Sequence, residues 1–221
     1  MKTDRIRHMS VTAMLCAVAY LITFVFHFKV GFLTFDFKDA MLVLTSLLFG
    51  PLYGVGSALL VGLLEFITIS DTGFWGLVMN VLSSATMALV AGLIYKRRRN
   101  LGGAVVGLVS AVVATVAVML LANLFITPIY TPTLTLSDVA AMIPTMLLPF
   151  NLCKAVMNAA VVMLLYKPLI SALRRTGMIP GSDKAYRVGT ASVAVIVSAV
   201  AVFAAACVAV VVWMGGSAQF F

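Results

Sequence analysis

The sequence predicts an all-α membrane protein: a bundle of six helices followed by one more transmembrane helix near the C-terminus. Three observations lead there. Hydrophobic residues make up 63% of the 221 residues and charged residues only 10%, with a mean hydropathy of +1.15, whereas a soluble domain carries about 25% charged residues on its surface. Apolar runs of spanning length fill nearly the whole chain. The basic residues gather at one end of those runs, as in loops retained in the cytoplasm. Together these exclude a soluble enzyme, a nucleic-acid-binding module and a secreted disulfide scaffold. The net charge of +8 is then a sign of topology, and the partner is the lipid bilayer rather than nucleic acid.

The first apolar run, residues 11–28, follows Lys2, Arg5 and Arg7. It contains Ala17-Val18-Ala19, the small-residue pattern of a signal-peptide cleavage site. The run continues too far beyond that string for a signal h-region, so it reads as a retained helix. Residues 29–39, KVGFLTFDFKD, read as a polar-aromatic loop. Residues 40–70 are too long for one span and are interrupted at Gly50-Pro51, where proline cannot continue the backbone ladder. Two short or tilted helices joined at FGPLYG fit best. A fourth helix, 74–95, ends in Lys96-Arg97-Arg98-Arg99, and a fifth covers 101–126. The loop TPIYTPTLTLSD leads to the sixth, about 139–166, with Pro144 and Pro149 in its first half. Residues 1–175 thus form the membrane domain, 176–189 a cytoplasmic linker and 190–214 the additional helix.

Charge tests this topology. With the N-terminus in the cytoplasm, every Lys and Arg except Lys29, Lys38 and Lys154 lies on an inner segment, while Asp36, Asp39, Asp71 and Asp138 lie outside. A wrong number of spans would scramble that asymmetry. The expected location is the plasma membrane. Cys16, Cys153 and Cys207 are far apart inside apolar runs, without a CxxC or Cys/His cluster, so they read as small apolar side chains and give no metal site. Small residues recur every four positions at Ala13/Ala17, Gly54/Ala58/Gly62, Ala88/Gly92 and Gly103/Gly107/Ala111; such stripes let helix backbones approach closely in lipid.

Polar side chains inside a span are costly and therefore informative. Lys154 at mid-helix costs about 2.5–3.5 kcal/mol on insertion scales. Asn151, Lys154 and Asn158 are spaced by three and then four, which puts them on one helical face. Together with Pro149 upstream they describe a polar wall facing a cavity; the competing reading is a lysine snorkelling to the interface or paired to an acid such as Glu65. Asn123, Glu65, Thr68, Ser70 and Asn80 approach the same side. The 29–39 loop adds Phe32, Phe35 and Phe37 beside Asp36, a combination that suits a planar ligand or, equally, an interfacial aromatic belt. Catalytic patterns are missing: there is no H-E-x-x-H, no G-x-S-x-G and no phosphate-binding G-x-x-x-x-G-K-[ST]. Uphill transport would need energy from a partner or an ion gradient.

Five strings, in order, resemble a known family: VTAMLCAVAYL with its A-x-x-x-A pattern, TFDFKD followed by LLFGPLYGVGSALL, TGFWGLVMNVLSSATMALVAGLIYKRRR, ANLFITPIY and LLPFNLCKAVMN. Over residues 10–175 the chain resembles the substrate-binding S components of energy-coupling-factor (ECF) vitamin transporters, of the riboflavin type. The resemblance implies a six-helix, non-enzymatic S component that captures riboflavin from outside as transported ligand, needs no cofactor, and delivers it inward with a scaffold subunit and two cytoplasmic ATPases. It implies flavin contacts at Asn123, Asn151 and Lys154, weaker ones at Asn80, Phe35, Asp36 and Phe37, and scaffold docking at Ala13 and Ala17. The seventh apolar stretch departs from the family, whose core ends after six helices; it would put the C-terminus outside. Alternatives are an S component for another vitamin or planar heterocycle, or a stand-alone carrier or intramembrane enzyme built on Glu65 and Lys154.

Overall fold

The computed structural model describes residues 2–25, 28–30, 33–69, 73–175 and 177, together with 194, 197–199, 201–203, 205–206, 209 and 219–220 near the C-terminus. The helices are α1 (Lys2–Val25), α2 (Lys38–Phe49), α3 (Pro51–Thr68), α4 (Gly73–Arg97), α5 (Leu101–Tyr130), α6 (Leu136–Met142) and α7 (Leu148–Arg175), with a π-turn at Ile143–Leu147 joining the last two. Among the described residues five helices are long and apolar enough to cross a membrane, α6 through α7 counting as one. The sixth member of the bundle is α2. Its 12 residues reach only about 18 Å at the α-helical rise, so it cannot span alone.

What α2 lacks in length it makes up in burial. Every residue from Lys38 to Leu47 is buried, because α1, α3, α4 and α7 surround it. Beyond Lys38 and Asp39 its buried side chains are apolar except for Thr45 and Ser46, as suits a helix enclosed in a core. The break between α2 and α3 falls at Gly50-Pro51. Gly50 takes φ 109°, in a region that favours glycine, and Pro51 opens α3 where its missing N–H is no loss.

Close helix approach uses three of the four small-residue stripes internally. A Cβ at Gly54 would lie 2.5 Å from Ser46 Cβ, one at Gly92 would overlap Ser46 Oγ, and one at Gly107 would lie 3.0 Å from the Ala91 carbonyl oxygen. Ser46 Oγ meanwhile donates to the Ala88 carbonyl at 2.6 Å. Ala13 and Ala17 behave differently: both lie exposed on α1, whose Val11, Leu15, Cys16 and Ala19 face inward. Large apolar side chains cover the outer surface, among them Phe24, Leu63, Ile67, Val109, Leu121 and Phe125, as a lipid-facing surface requires.

Several boundaries differ from the sequence expectation. The 29–39 segment contains a short antiparallel hairpin, β1 (Phe28–Val30) with β2 (Leu33–Phe35), pairing Phe28 with Phe35 and Val30 with Leu33. A third strand, β3 (Gln219–Phe220), adds to the other edge of β1. Helix α1 begins at Lys2 and α5 runs through Pro128 to Tyr130. The sixth span is broken into α6 and α7 because Pro144 and Pro149 each lack an N–H, and the ladder widens so that Leu148 donates to Ile143. Of the expected seventh helix, residues 194, 197–199, 201–203, 205–206 and 209 are helical; the rest of 190–214, and all of the 176–189 linker but Gly177, lie outside the described residues.

Candidate ligand-binding site

One cavity sits at the hairpin end of the bundle, opposite the Lys96–Arg99 end. It encloses about 70 Å³ and is lined by Leu33 and Thr34 from β2, Gly76, Met79, Asn80 and Ser83 from α4, Met119, Asn123 and Tyr130 from α5, and Phe150, Asn151 and Lys154 from α7. Four helical or hairpin elements therefore contribute, and each supplies both apolar and polar groups. Asn123, buried completely, donates from Nδ2 to the Met119 carbonyl at 2.8 Å and accepts from Thr127 Oγ1 at 3.1 Å. Asn151 Nδ2 donates to the Leu147 carbonyl at 2.8 Å, at the end of the π-turn. Each amide carries two N–H donors and a carbonyl, so both asparagines are held by their own helix with polar capacity remaining.

Lys154 is the pivot. Its Nζ donates to the Thr34 carbonyl at 3.1 Å and to Asp36 Oδ2 at 2.8 Å, leaving one of an ammonium's three donors. Behind it lies a buried charge network. Lys38 Nζ is 3.6 Å from the same Asp36 oxygen and pairs with Glu65 Oε2, Glu65 also accepts from Asn80 Nδ2 at 3.3 Å, and Ser84 donates to Asp39. Burial by itself pushes the Asp36 carboxyl up, but the ammonium groups of Lys154 and Lys38 outweigh it and hold the group below the ordinary carboxylate range. An array of fixed donors between apolar walls, charged at one point and braced by that network, can orient a planar ligand rich in carbonyl and hydroxyl groups.

A family model described as "ECF transporter, substrate-specific component" matches residues 7–166, nearly the whole bundle. The chain belongs to this family. It is 32% identical over 172 residues to "Riboflavin transporter RibU" of Staphylococcus aureus (strain TCH60), covering 74% of this chain and 90% of that protein. It is 26% identical over 184 residues to "Riboflavin transporter FmnP" of Bacillus subtilis (strain 168), covering 77% and 97%. Its fold is similar to the solved S component of a bacterial ECF transporter, with TM-score 0.65, 30% identity, and coverage of 77% of this chain and 99% of that one. As an S component the chain is a multi-pass membrane transporter subunit.

In this S component, Asn80, Asn123, Asn151 and Lys154 all line the one cavity, although they come from three helices. Phe35, Asp36 and Phe37 do not join them. Phe35 is wholly buried and stacks edge-on against Phe37 and Phe150, with ring centroids 5.8 Å away in each case. Asp36 is buried behind Lys154. Leu33 and Thr34 line the cavity and Phe35, Asp36 and Phe37 do not, since the strand directs its aromatic residue into the cluster formed by Val139, Leu147 and Phe150. The acid paired with Lys154 is Asp36, and Glu65 is instead paired with Lys38. Thr68 bonds Tyr20 on the exposed side, and Ser70 and Phe32 lie outside the described residues.

Sequence reading missed Lys38 and Asp39, which count there as loop charges; nothing local distinguishes them from solvated ones. Asn158 belongs to the polar face of α7 but serves the scaffold of the site. Its Oδ1 accepts from the Ala40 N–H at 3.0 Å and its Nδ2 donates to the Asp36 carbonyl at 3.0 Å. The first turn of α2 has no cap from its own N-cap side chain, and Asn158 supplies from another helix a shorter bond to the Ala40 N–H than the 3.3 Å one to the Phe37 carbonyl. Asn158→Leu would strand the buried Asp36 carbonyl and leave the Ala40 N–H only its 3.3 Å bond to the Phe37 carbonyl, at a cost of about 1–3 kcal/mol. The variant is expected to show a clearly lowered thermal midpoint in detergent, and an unchanged midpoint would refute the capping role.

Proposed function

We propose that this S component captures riboflavin on the extracellular side and hands it inward in company with a membrane scaffold subunit and two cytoplasmic ATPases. The observation that carries this reading is the convergence of Asn80, Asn123, Asn151 and Lys154 on one cavity walled by Leu33, Met79, Met119 and Phe150. The riboflavin transporters it resembles over nine-tenths or more of their length support the choice of ligand. Apolar walls take the faces of the isoalloxazine ring, while Lys154 and Asn151 hydrogen-bond its polar edge and the ribityl hydroxyls. The chain carries no phosphate-binding loop, so energy comes from the partner ATPases. The basic ends of α1, α4 and α7 favour a cytoplasmic N-terminus, which turns the cavity outward.

A cavity of about 70 Å³ is smaller than the roughly 300–1,000 Å³ of sites that hold drug-sized ligands, so admission of riboflavin requires the walls to part. Lys154 ties the hairpin segment to α7 through Thr34 and Asp36, so these bonds must yield if that wall is the one that parts. The decisive experiment is a visible absorption spectrum of the detergent-purified protein followed by a riboflavin fluorescence titration. Saturable quenching at micromolar riboflavin or below is expected. A folded protein with a flat titration would remove riboflavin, and displacement of the flavin by another vitamin would reassign the ligand within the same family.

A further inference from the structure

We infer that the C-terminal segment of this chain is an intramolecular clamp on the hairpin that covers the ligand cavity. The inference rests on the ligand reading above and concerns a part of the chain beyond the bundle, since the family match ends at Tyr166. Two separate contacts bring the segment to the hairpin and to the chain that follows it. Gln219–Phe220 pairs antiparallel with β1, Phe28 opposite Phe220 and Lys29 opposite Gln219, so the sheet order is β2-β1-β3. Closer to the bundle, Phe203 lies with its ring 5.9 Å from that of Phe37. Phe203 and Ala206 pack on the cluster of Leu33, Phe35, Leu147 and Phe150. The preceding turn, with Ala199 and Val202, faces Val105, Val109 and Val156 of α5 and α7.

The consequence follows from where these contacts fall. Leu33 and Thr34 wall the cavity, and they sit on β2, which hangs on β1 by the hairpin pairing. The clamp grips β1 on its free edge and Phe37 at the start of α2, on either side of the cavity-lining strand. None of the gripping residues lines the cavity. A device of this kind holds the closed arrangement whether or not ligand is inside, so it slows admission and release together and leaves affinity nearly unchanged. An S component without such a segment exchanges its ligand faster.

Two full-length variants test this in lipid nanodiscs. Gln219→Pro/Phe220→Pro removes the strand's N–H donors, and Phe203→Ala removes the ring contact. Riboflavin mixing in a stopped-flow fluorimeter is expected to show association and dissociation both faster by about three- to tenfold, the range that loss of one or two net hydrogen bonds or contacts gives, with Kd moved by less than about twofold. Hydrogen–deuterium exchange across residues 28–35 reads the same clamp without ligand and is expected to accelerate in both variants. Wild-type rates and wild-type exchange in Phe203→Ala and the double proline variant would overturn the clamp while leaving the riboflavin reading intact. Failure of the unaltered protein to bind riboflavin would overturn that reading instead, and the exchange measurement would still decide the clamp.

Discussion

Lys154→Met is expected to weaken riboflavin binding by about 10- to 150-fold, the equivalent of about 1.5–3 kcal/mol for a hydrogen bond to a charged group, and to lower the melting temperature as well. The two effects have different origins. Methionine keeps the apolar stem of the lysine but deletes the ammonium, and with it the third donor that faces the cavity. It also deletes the bonds to Thr34 and Asp36 that tie the hairpin to α7. Asp36 would then be left with Lys38 at 3.6 Å, and breaking one side of a buried ion pair typically costs about 3–5 kcal/mol. A Lys154→Met/Asp36→Asn double variant separates the contributions, because it removes the stranded charge without restoring the ligand contact. Its melting temperature should recover much of the loss while its affinity stays low. Recovery of affinity in the double variant would show that Lys154 acts only through the hairpin.

The same network fixes the sign of a pH effect. Asp36 is held below the ordinary carboxylate range in the folded protein, so its contribution is complete above that range and is lost as pH falls through its lowered folded value. In Lys154→Met that lowering weakens, so the acid destabilisation contributed by Asp36 should be smaller than in the wild type.

Ala17→Trp, and Ala13→Trp with it, is expected to abolish coupled uptake while leaving riboflavin binding untouched. Every other small-residue stripe is enclosed: Gly54 and Gly92 meet Ser46, and Gly107 meets Ala91. Ala13 and Ala17 alone among these stripes present small side chains on an exposed helix face, which is the surface on which another transmembrane helix can approach closely. A tryptophan there holds the partner backbone away. Uptake by cells supplying the scaffold and ATPase subunits should fall by about tenfold or more if docking depends on this close approach. Purified protein should still titrate with riboflavin as the wild type does. Leu121→Trp, at an exposed apolar position on α5, is the control and should transport normally. Equal loss of uptake in the control, or loss of binding in Ala17→Trp, would defeat the assignment of the α1 face.

Much of this was legible in the sequence because it is written locally. Hydropathy counts spans, the break at Gly50-Pro51 divides the second run in two, and basic residues mark one end of the bundle. The face of α7 carrying Asn151, Lys154 and Asn158 follows from helical periodicity alone. What periodicity cannot supply is the partner. Lys154 and Asp36 are 118 positions apart and Lys38 and Glu65 are 27 apart, and three acids within reach would satisfy either lysine equally well on paper. Only the packing of α2 against α1, α3, α4 and α7 selects among them, by burying Lys38 and Asp39 that a linear reading leaves in a loop. The same packing turns Phe35 inward onto Phe150 and leaves Leu33 and Thr34 at the cavity. Helix identity and orientation in the membrane are set by the transfer energy of each segment, a property of local composition. The pairing of buried charges is set by which segments lie side by side, because a charge taken out of water must find its counter-charge within a few ångströms wherever the chain happens to deliver one.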